Sequence, residues 1–284
     1  MSDASILLLM TGLLLGSTDG VGAEKARQPP RTAPREVLGE DPVRAAFDYP
    51  PASSSGPYLI LSGLVPLGWS RDGKFAYALE EETEAADCDS FEVVVQDLRD
   101  GGTLWHGGYG SRDKNPEGQR PLDEHVEVQR SEEGPECEGE VGKVWDKYRQ
   151  RWFAAWSPLG IEPLERAHYR RGTKGEGFTL HVRESAERAR NGFDVEYPLE
   201  RRIELVTRSG TTVLYRDVRK PDDYGAPLGL KVLGFVRSPF ERRMAVVLGE
   251  LLRGWEGFPY VVRLHVVGAE LPPEPKGAAR PVAR

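Results

Sequence analysis

Residues 65 to 81 read Val-Pro-Leu-Gly-Trp-Ser-Arg-Asp-Gly-Lys-Phe-Ala-Tyr-Ala-Leu-Glu-Glu, and a stretch of this kind has few folds open to it. Leu67 and Trp69 lead into Asp72-Gly73, whose glycine supplies the positive φ of a tight turn, and Phe75, Tyr77 and Leu79 then recur at every second position. Strand, turn, strand is the prediction. A worn copy runs Leu233-Gly234-Phe235-Val236-Arg237-Ser238-Pro239, through a charged turn from Glu241 to Arg243, into Met244-Ala245-Val246-Val247-Leu248. Two such apolar ribbons predict related parts of one β-rich domain, side by side in a common sheet system. Neither carries an obvious reactive group.

The chain between and after them reads the same way. Phe91 to Leu98 is a β-branched run, turned at Asp100-Gly101-Gly102 and returned from Thr103 to His106. A short strand is expected near Val126 to Gln129. Phe178 to Glu184 alternates as a half-buried strand, Ile203 to Thr207 and Thr211 to Tyr215 flank Arg208-Ser209-Gly210 as a hairpin, and Tyr260 to Val267 supplies the last strand. Helical periodicity has force only once: Val141, Val144, Trp145, Tyr148 and Trp152 fall on one face, predicting a helix over about 140–155 that Pro158 ends. With 32 Gly and 22 Pro favouring turns, the predicted class is mainly β: an antiparallel meander or sandwich, or incomplete propeller-like sheets, with one amphipathic helix.

The termini differ from this body. Ile6 to Leu15 is an apolar run too short to span a bilayer, and small residues at Val21-Gly22-Ala23 suit cleavage after Ala23. Residues 1–23 are therefore expected to be a signal peptide, although no Lys or Arg precedes the apolar run. Residues 24–57, rich in Pro and Ser, are expected to be a disordered tether, 58–271 a single β-rich domain and 272–284 a disordered tail. No other stretch reaches eighteen apolar residues, so no transmembrane segment is expected once the leader is removed, and the mature protein is placed in the periplasm or outside the cell.

Net charge is −7, and its distribution is uneven. Glu80 to Glu140 holds 19 acidic and 5 basic residues, whereas Val141 to Arg284 holds 18 acidic and 26 basic. The basic residues are scattered among strands without the clustered aromatic platforms of a nucleic-acid groove, which argues against that partner.

Candidates for chemistry are few. Cys88 and Cys137 are the only cysteines, and in an exported chain they predict one disulfide, worth on the order of 4 kcal/mol for a loop of about 49 residues; free thiols or metal ligation are the alternatives. Asp123, His125 and Glu127 would share one face of an extended segment and are a candidate divalent-metal or acid-base site. The acidic loop from Glu80 to Asp89 could offer oxygen ligands to calcium but lacks the spacing and central glycine of a calcium loop. His106, His168, His181 and His265 stand alone in sequence and read as polar face residues or satisfied core imidazoles. Nucleophile, metalloprotease and phosphate-loop motifs are absent, and no cofactor is predicted.

Gly68-Trp69-Ser70-Arg71-Asp72-Gly73-Lys74-Phe75-Ala76-Tyr77 resembles the Trp-Ser-Pro-Asp-Gly-Lys-x-x-Ala-Tyr signature of TolB-type β-propeller blades, and Ser238-Pro239 with Ala245 resembles a degenerate second instance. In outline the chain is also similar to bacterial predicted secreted proteins. The resemblance implies the hairpin geometry and no catalytic residues; the two copies lie much farther apart than the roughly 40 to 50 residues at which blades recur. The functional expectation is an exported, non-catalytic β-domain that binds an envelope protein partner. The alternatives are a hydrolase whose site gathers Asp123, His125 and a later histidine, and a divalent-cation or small-ligand binder using the acidic loops.

Overall fold

The computed structural model describes residues 28–38, 40–47, 59–81, 90–109, 123–126, 141–190, 196–221, 226–253 and 260–271. In chain order the elements are α1 (Glu40–Ala46), β1 (Leu59–Trp69), β2 (Lys74–Glu81), β3 (Ser90–Asp97), β4 (Thr103–Tyr109), β5 (Glu124–Val126) and α2 (Val141–Trp156). A 3-10 turn at Ser157–Leu159 is followed by β6 (Glu162–Pro163), β7 (Tyr169–Arg171), β8 (Lys174–Gly175), β9 (Phe178–Glu184), β10 (Arg188–Arg190) and β11 (Glu196–Pro198). The chain closes with β12 (Glu200–Thr207), β13 (Gly210–Val218), β14 (Gly229–Arg237), β15 (Arg243–Arg253) and β16 (Tyr260–Glu270).

The main sheet has the order β5-β4-β3-β2-β1-β16-β15-β14-β7, with β6 added at the tip of β1. Its pairings are antiparallel except β1 with β16 and β4 with β5. Both apolar ribbons, β1–β2 and β14–β15, therefore belong to one sheet, as their likeness predicts. The β1–β2 turn is fixed by its own side chains: Ser70 Oγ accepts from the Lys74 N–H and donates to Asp72 Oδ1, each at 2.7 Å, and Gly73 takes φ of 94°.

That sheet curls over. β1 and β16 pair only from Leu59 to Leu61, and the turn after β3 packs on β16 at Gly268 although β2 and β1 lie between those strands in sheet order. A core of Leu64, Trp69, Phe75, Tyr77 and Val94 from one half and Val236, Ala245, Val247, Val262 and Leu264 from the other fills the fold. Helix α2 covers the outer side of the first half, its Trp145, Tyr148, Trp152 and Trp156 lying on Phe91, Val93, Val95 and Tyr109, where small Ala76 and Ala78 leave room for indoles. Glu80 Oε1 accepts the Val141 N–H at 2.7 Å, which satisfies one of the helix's first four donors. A second sheet, in the order β13-β12-β9-β8, covers the other half through Phe178, Leu180, Ile203 and Leu205 against Phe235, Met244, Val246 and Leu248. Strands buried on both faces become continuous apolar runs, which explains Met244 to Leu248. Among the described residues the strands close neither a barrel nor a ring of blades, and no helix is long and apolar enough to cross a membrane.

Helix α2 spans Val141–Trp156, within a residue of the predicted bounds, and β5 is described at Glu124–Val126, while 127–129 of the strand expected near 126–129 lie outside the described residues. One expectation changes: parts of the stretch expected to be a disordered tether are packed, with Leu38 2% exposed and Val43 in α1 0% exposed. The physical cause is the gap left where β1 and β16 part. There the Leu64 carbonyl accepts from the Val37 N–H at 2.9 Å, while farther along β1 the Leu67 carbonyl accepts from Leu164 at 3.1 Å beside the β6 pairing. Residues 1–23 and 272–284 lie outside the described residues, as do Cys88 and Cys137.

Candidate functional site

Of the Asp123, His125, Glu127 constellation, only Asp123 has a described side chain. Asp123 is bound to the backbone of β4: its N–H donates to the His106 carbonyl at 2.7 Å and its Oδ2 accepts the His106 N–H at 2.8 Å. His125 is placed opposite Gly108 in the β4–β5 ladder, and Glu127 lies outside the described residues. The carboxylate that turns inward is Glu124, which accepts from Tyr109 Oη at 2.8 Å and pairs with Arg151 Nε at 2.9 Å. Trp152 Nε1 donates to the same Tyr109 oxygen. Burial first, then Glu124, pushes the Tyr109 phenol well above its ordinary range, so it stays a neutral donor. Among the described residues no group of three or more His, Cys, Asp and Glu is placed to hold a metal ion.

A second polar cluster was invisible in the sequence. Glu250 interrupts the apolar strand β15 and is buried; its Oε2 lies 2.9 Å from His265 Nε2 on β16, and its Oε1 accepts from Tyr215 Oη on β13 at 3.2 Å. Three strands from two sheets meet there. Burial pushes the Glu250 carboxyl up, but the hydrogen bond and charge of His265, with Tyr215 and Arg219, outweigh it and hold it below its ordinary value. Such a carboxylate orients the imidazole beside it. The one warning in the sequence was a lone acid inside an apolar run; nothing in spacing tied it to His265 or Tyr215.

A concavity lies elsewhere. A cleft of about 780 Å³ opens between the C-terminal turns of α2, the loop to β6, the β1–β2 turn and the chain at Gln28 and Pro29. Phe153, Ala154, Pro158, Leu159, Ile161 and Pro163 form its apolar wall. Its charges are matched in pairs: Arg71 Nε meets Glu162 Oε1 at 2.9 Å, and Lys74 Nζ meets Asp72 Oδ2. The hydrogen bonds from Lys74 and Ser70 hold the Asp72 carboxyl below its ordinary value, so it stays ionised. Arg71 also lies over the Phe240 ring, 5.3 Å from its centre, which ties the two ribbon tips together at the rim. Compared with known protein families, characterised proteins and solved structures, the chain matches none.

Proposed function

We propose that this is an exported, non-catalytic β-domain that serves as a binding module in the cell envelope, with the cleft beside α2 as its seat. The observation that carries this reading is the make-up of that cleft. Its volume is in the range of small-ligand and peptide-segment sites, its walls mix apolar and polar side chains, and among the described residues its lining includes neither imidazole nor thiol. The acids and bases it gathers are engaged with one another, an arrangement suited to shape and hydrogen-bond recognition more than to proton transfer.

Filling the cleft tests the seat. Ala154 is exposed on α2 and lines the cleft, so Ala154→Trp should block it without disturbing the core. An envelope component captured by the wild-type protein and lost with Ala154→Trp is the expected result; equal capture by both moves the site elsewhere. Export is tested by N-terminal sequencing of the mature chain, expected to begin at Glu24, and the Cys88 to Cys137 bridge by its mass with and without reductant. A hydrolase reading has one observation in its favour, the Glu250 and His265 pair, and ester hydrolysis abolished by His265→Ala would establish it.

A further inference from the structure

Residues 28–38 run without helix or strand and carry Pro29, Pro30 and Pro34. Proline fixes its own φ and disfavours helical conformations in the residue before it, so Gln28, Pro29 and Ala33 are biased to extended conformations on either side of the bend at Arg31 and Thr32. This strap is seated on the molecule. Pro29 is buried, Trp145 Nε1 on α2 donates to the Pro30 carbonyl at 2.9 Å, and Ala33 packs on the aromatic core under α2. Glu36 then crosses Gly63, where an added Cβ would lie 2.9 Å from its carboxylate, and Val37 is fixed to the carbonyl of Leu64.

An indole N–H donated to the carbonyl of a proline-bearing chain, over an aromatic surface, is how pre-extended proline-rich segments are recognised: the chain loses little entropy and its carbonyls stay open to donors. Gln28 and Pro29 also wall the cleft. The strap's seat and the cleft are thus one surface, filled at one end by the strap and open at the other, where Phe153, Pro158 and Pro163 offer flat apolar walls suited to pyrrolidine rings.

We infer that the face of α2 around Trp145, continued by the cleft, is a recognition groove for extended proline-rich chains, and that the protein's own Gln28–Pro34 occupies it in cis. This inference rests on the binding-module reading and supplies its ligand class. A proline-rich segment of a partner displaces the strap's N-terminal half and runs on into the cleft, while Val37, Leu38 and Val43 keep the strap anchored. A tethered strap competes at an effective concentration of about millimolar, so the groove in the intact chain answers only to ligands of comparable strength or abundance.

The test uses the full chain, labelled with 15N, and an unlabelled peptide of the strap's own sequence, Gln-Pro-Pro-Arg-Thr-Ala-Pro-Arg-Glu-Val-Leu. The peptide should move the Arg31 and Thr32 amides toward free-chain positions at about millimolar concentration while the Trp145 indole N–H keeps its bonded shift. With Pro29→Gly and Pro30→Gly in the protein, the same peptide should saturate at a concentration lower by about tenfold or more, and Trp145→Phe should weaken it by about five- to tenfold through loss of one hydrogen bond. The other tryptophan signals report that each variant is folded. Failure of the peptide to reach Trp145 in wild type and in the glycine variant overturns the inference, as does equal binding of a peptide with alanine at all three prolines. Should the peptide fail while a binder sensitive to Ala154→Trp exists, the binding-module reading stands and the ligand class is discarded.

Discussion

The buried Glu250 cluster allows a prediction that runs against simple bond counting. Glu250 has a side chain 3% exposed, whereas His265 is 32% exposed. Replacing His265 by Ala strands a buried carboxylate with Tyr215 as its remaining hydrogen-bonding side chain, which should cost about 3 kcal/mol, the low end for breaking a buried pair because the imidazole is partly wet. Tyr215→Phe removes one bond to a charged acceptor and should cost about 2 kcal/mol. Glu250→Leu removes both bonds together with the charge that needs them, and the two partners can turn to water, so its cost should be about 1 kcal/mol or less. Urea unfolding at neutral pH, with m unchanged across the series, measures all three. The pH dependence follows from the same contacts. Because the folded Glu250 carboxyl titrates below its ordinary value of 4.5, its stabilisation is full above that value and is lost as pH falls through the lowered folded one. Glu250→Leu should lack this loss, so the gap between wild type and variant narrows or reverses as the solution is acidified. A Glu250→Leu variant less stable than His265→Ala, or one whose stability falls with acid in parallel with wild type, would refute the reasoning.

Four further outcomes are expected. Gly268→Ala should destabilise by about 3 kcal/mol or more, because the new Cβ meets the backbone carbonyl of Leu98 and backbone cannot swing aside as a side chain does; a midpoint shift in urea reads it. Gly73→Ala should cost about 1–2 kcal/mol, since φ is 94° and the Cβ approaches Glu241 and Arg243. Trp145→Phe should leave α2 folded yet expose Arg31 and Arg35 to trypsin faster than in wild type, a matter for limited proteolysis with mass spectrometry. Tyr77, Tyr109 and Tyr215 are held above the usual phenol range chiefly by burial, and Tyr169 is pushed up to about 12 by the same cause. Phenolate absorbance should therefore show all four still protonated near pH 10, with the stabilisation they give lost only as pH climbs past the unfolded value toward the folded ones.

The local grammar of this chain was readable residue by residue. Asp72-Gly73 and Arg208-Ser209-Gly210 turn where their residue types require, the stripe from Val141 to Trp152 makes helix α2, and alternation at Phe178 to Glu184 makes a half-buried strand. Turn chemistry and side-chain period act over a few residues and are written in them. That period did not reveal that Glu124 turns inward to Tyr109 on β4 and Arg151 on α2.

Composition set residues 24–57 apart as too proline-rich and polar to fold by themselves, and as an isolated peptide they offer little to bury. Only the packed sheet supplies the Leu64 carbonyl that Val37 meets and the core in which Leu38 and Val43 are buried, so order there is a property of the tertiary structure and not of the segment. Glu250, Tyr215 and His265 belong to the same class of fact. Glu250 and His265 lie on the neighbouring strands β15 and β16, and Tyr215 reaches them from β13 in the other sheet; no periodicity within any one strand encodes which side chain will face it across a packed interface. The sequence determined which segments become strands, turns and helix, because those choices are settled between near neighbours; the tertiary structure alone decided the cleft, the buried acid's partners and the strap's seat, because each is made by surfaces that exist only after the strands have packed.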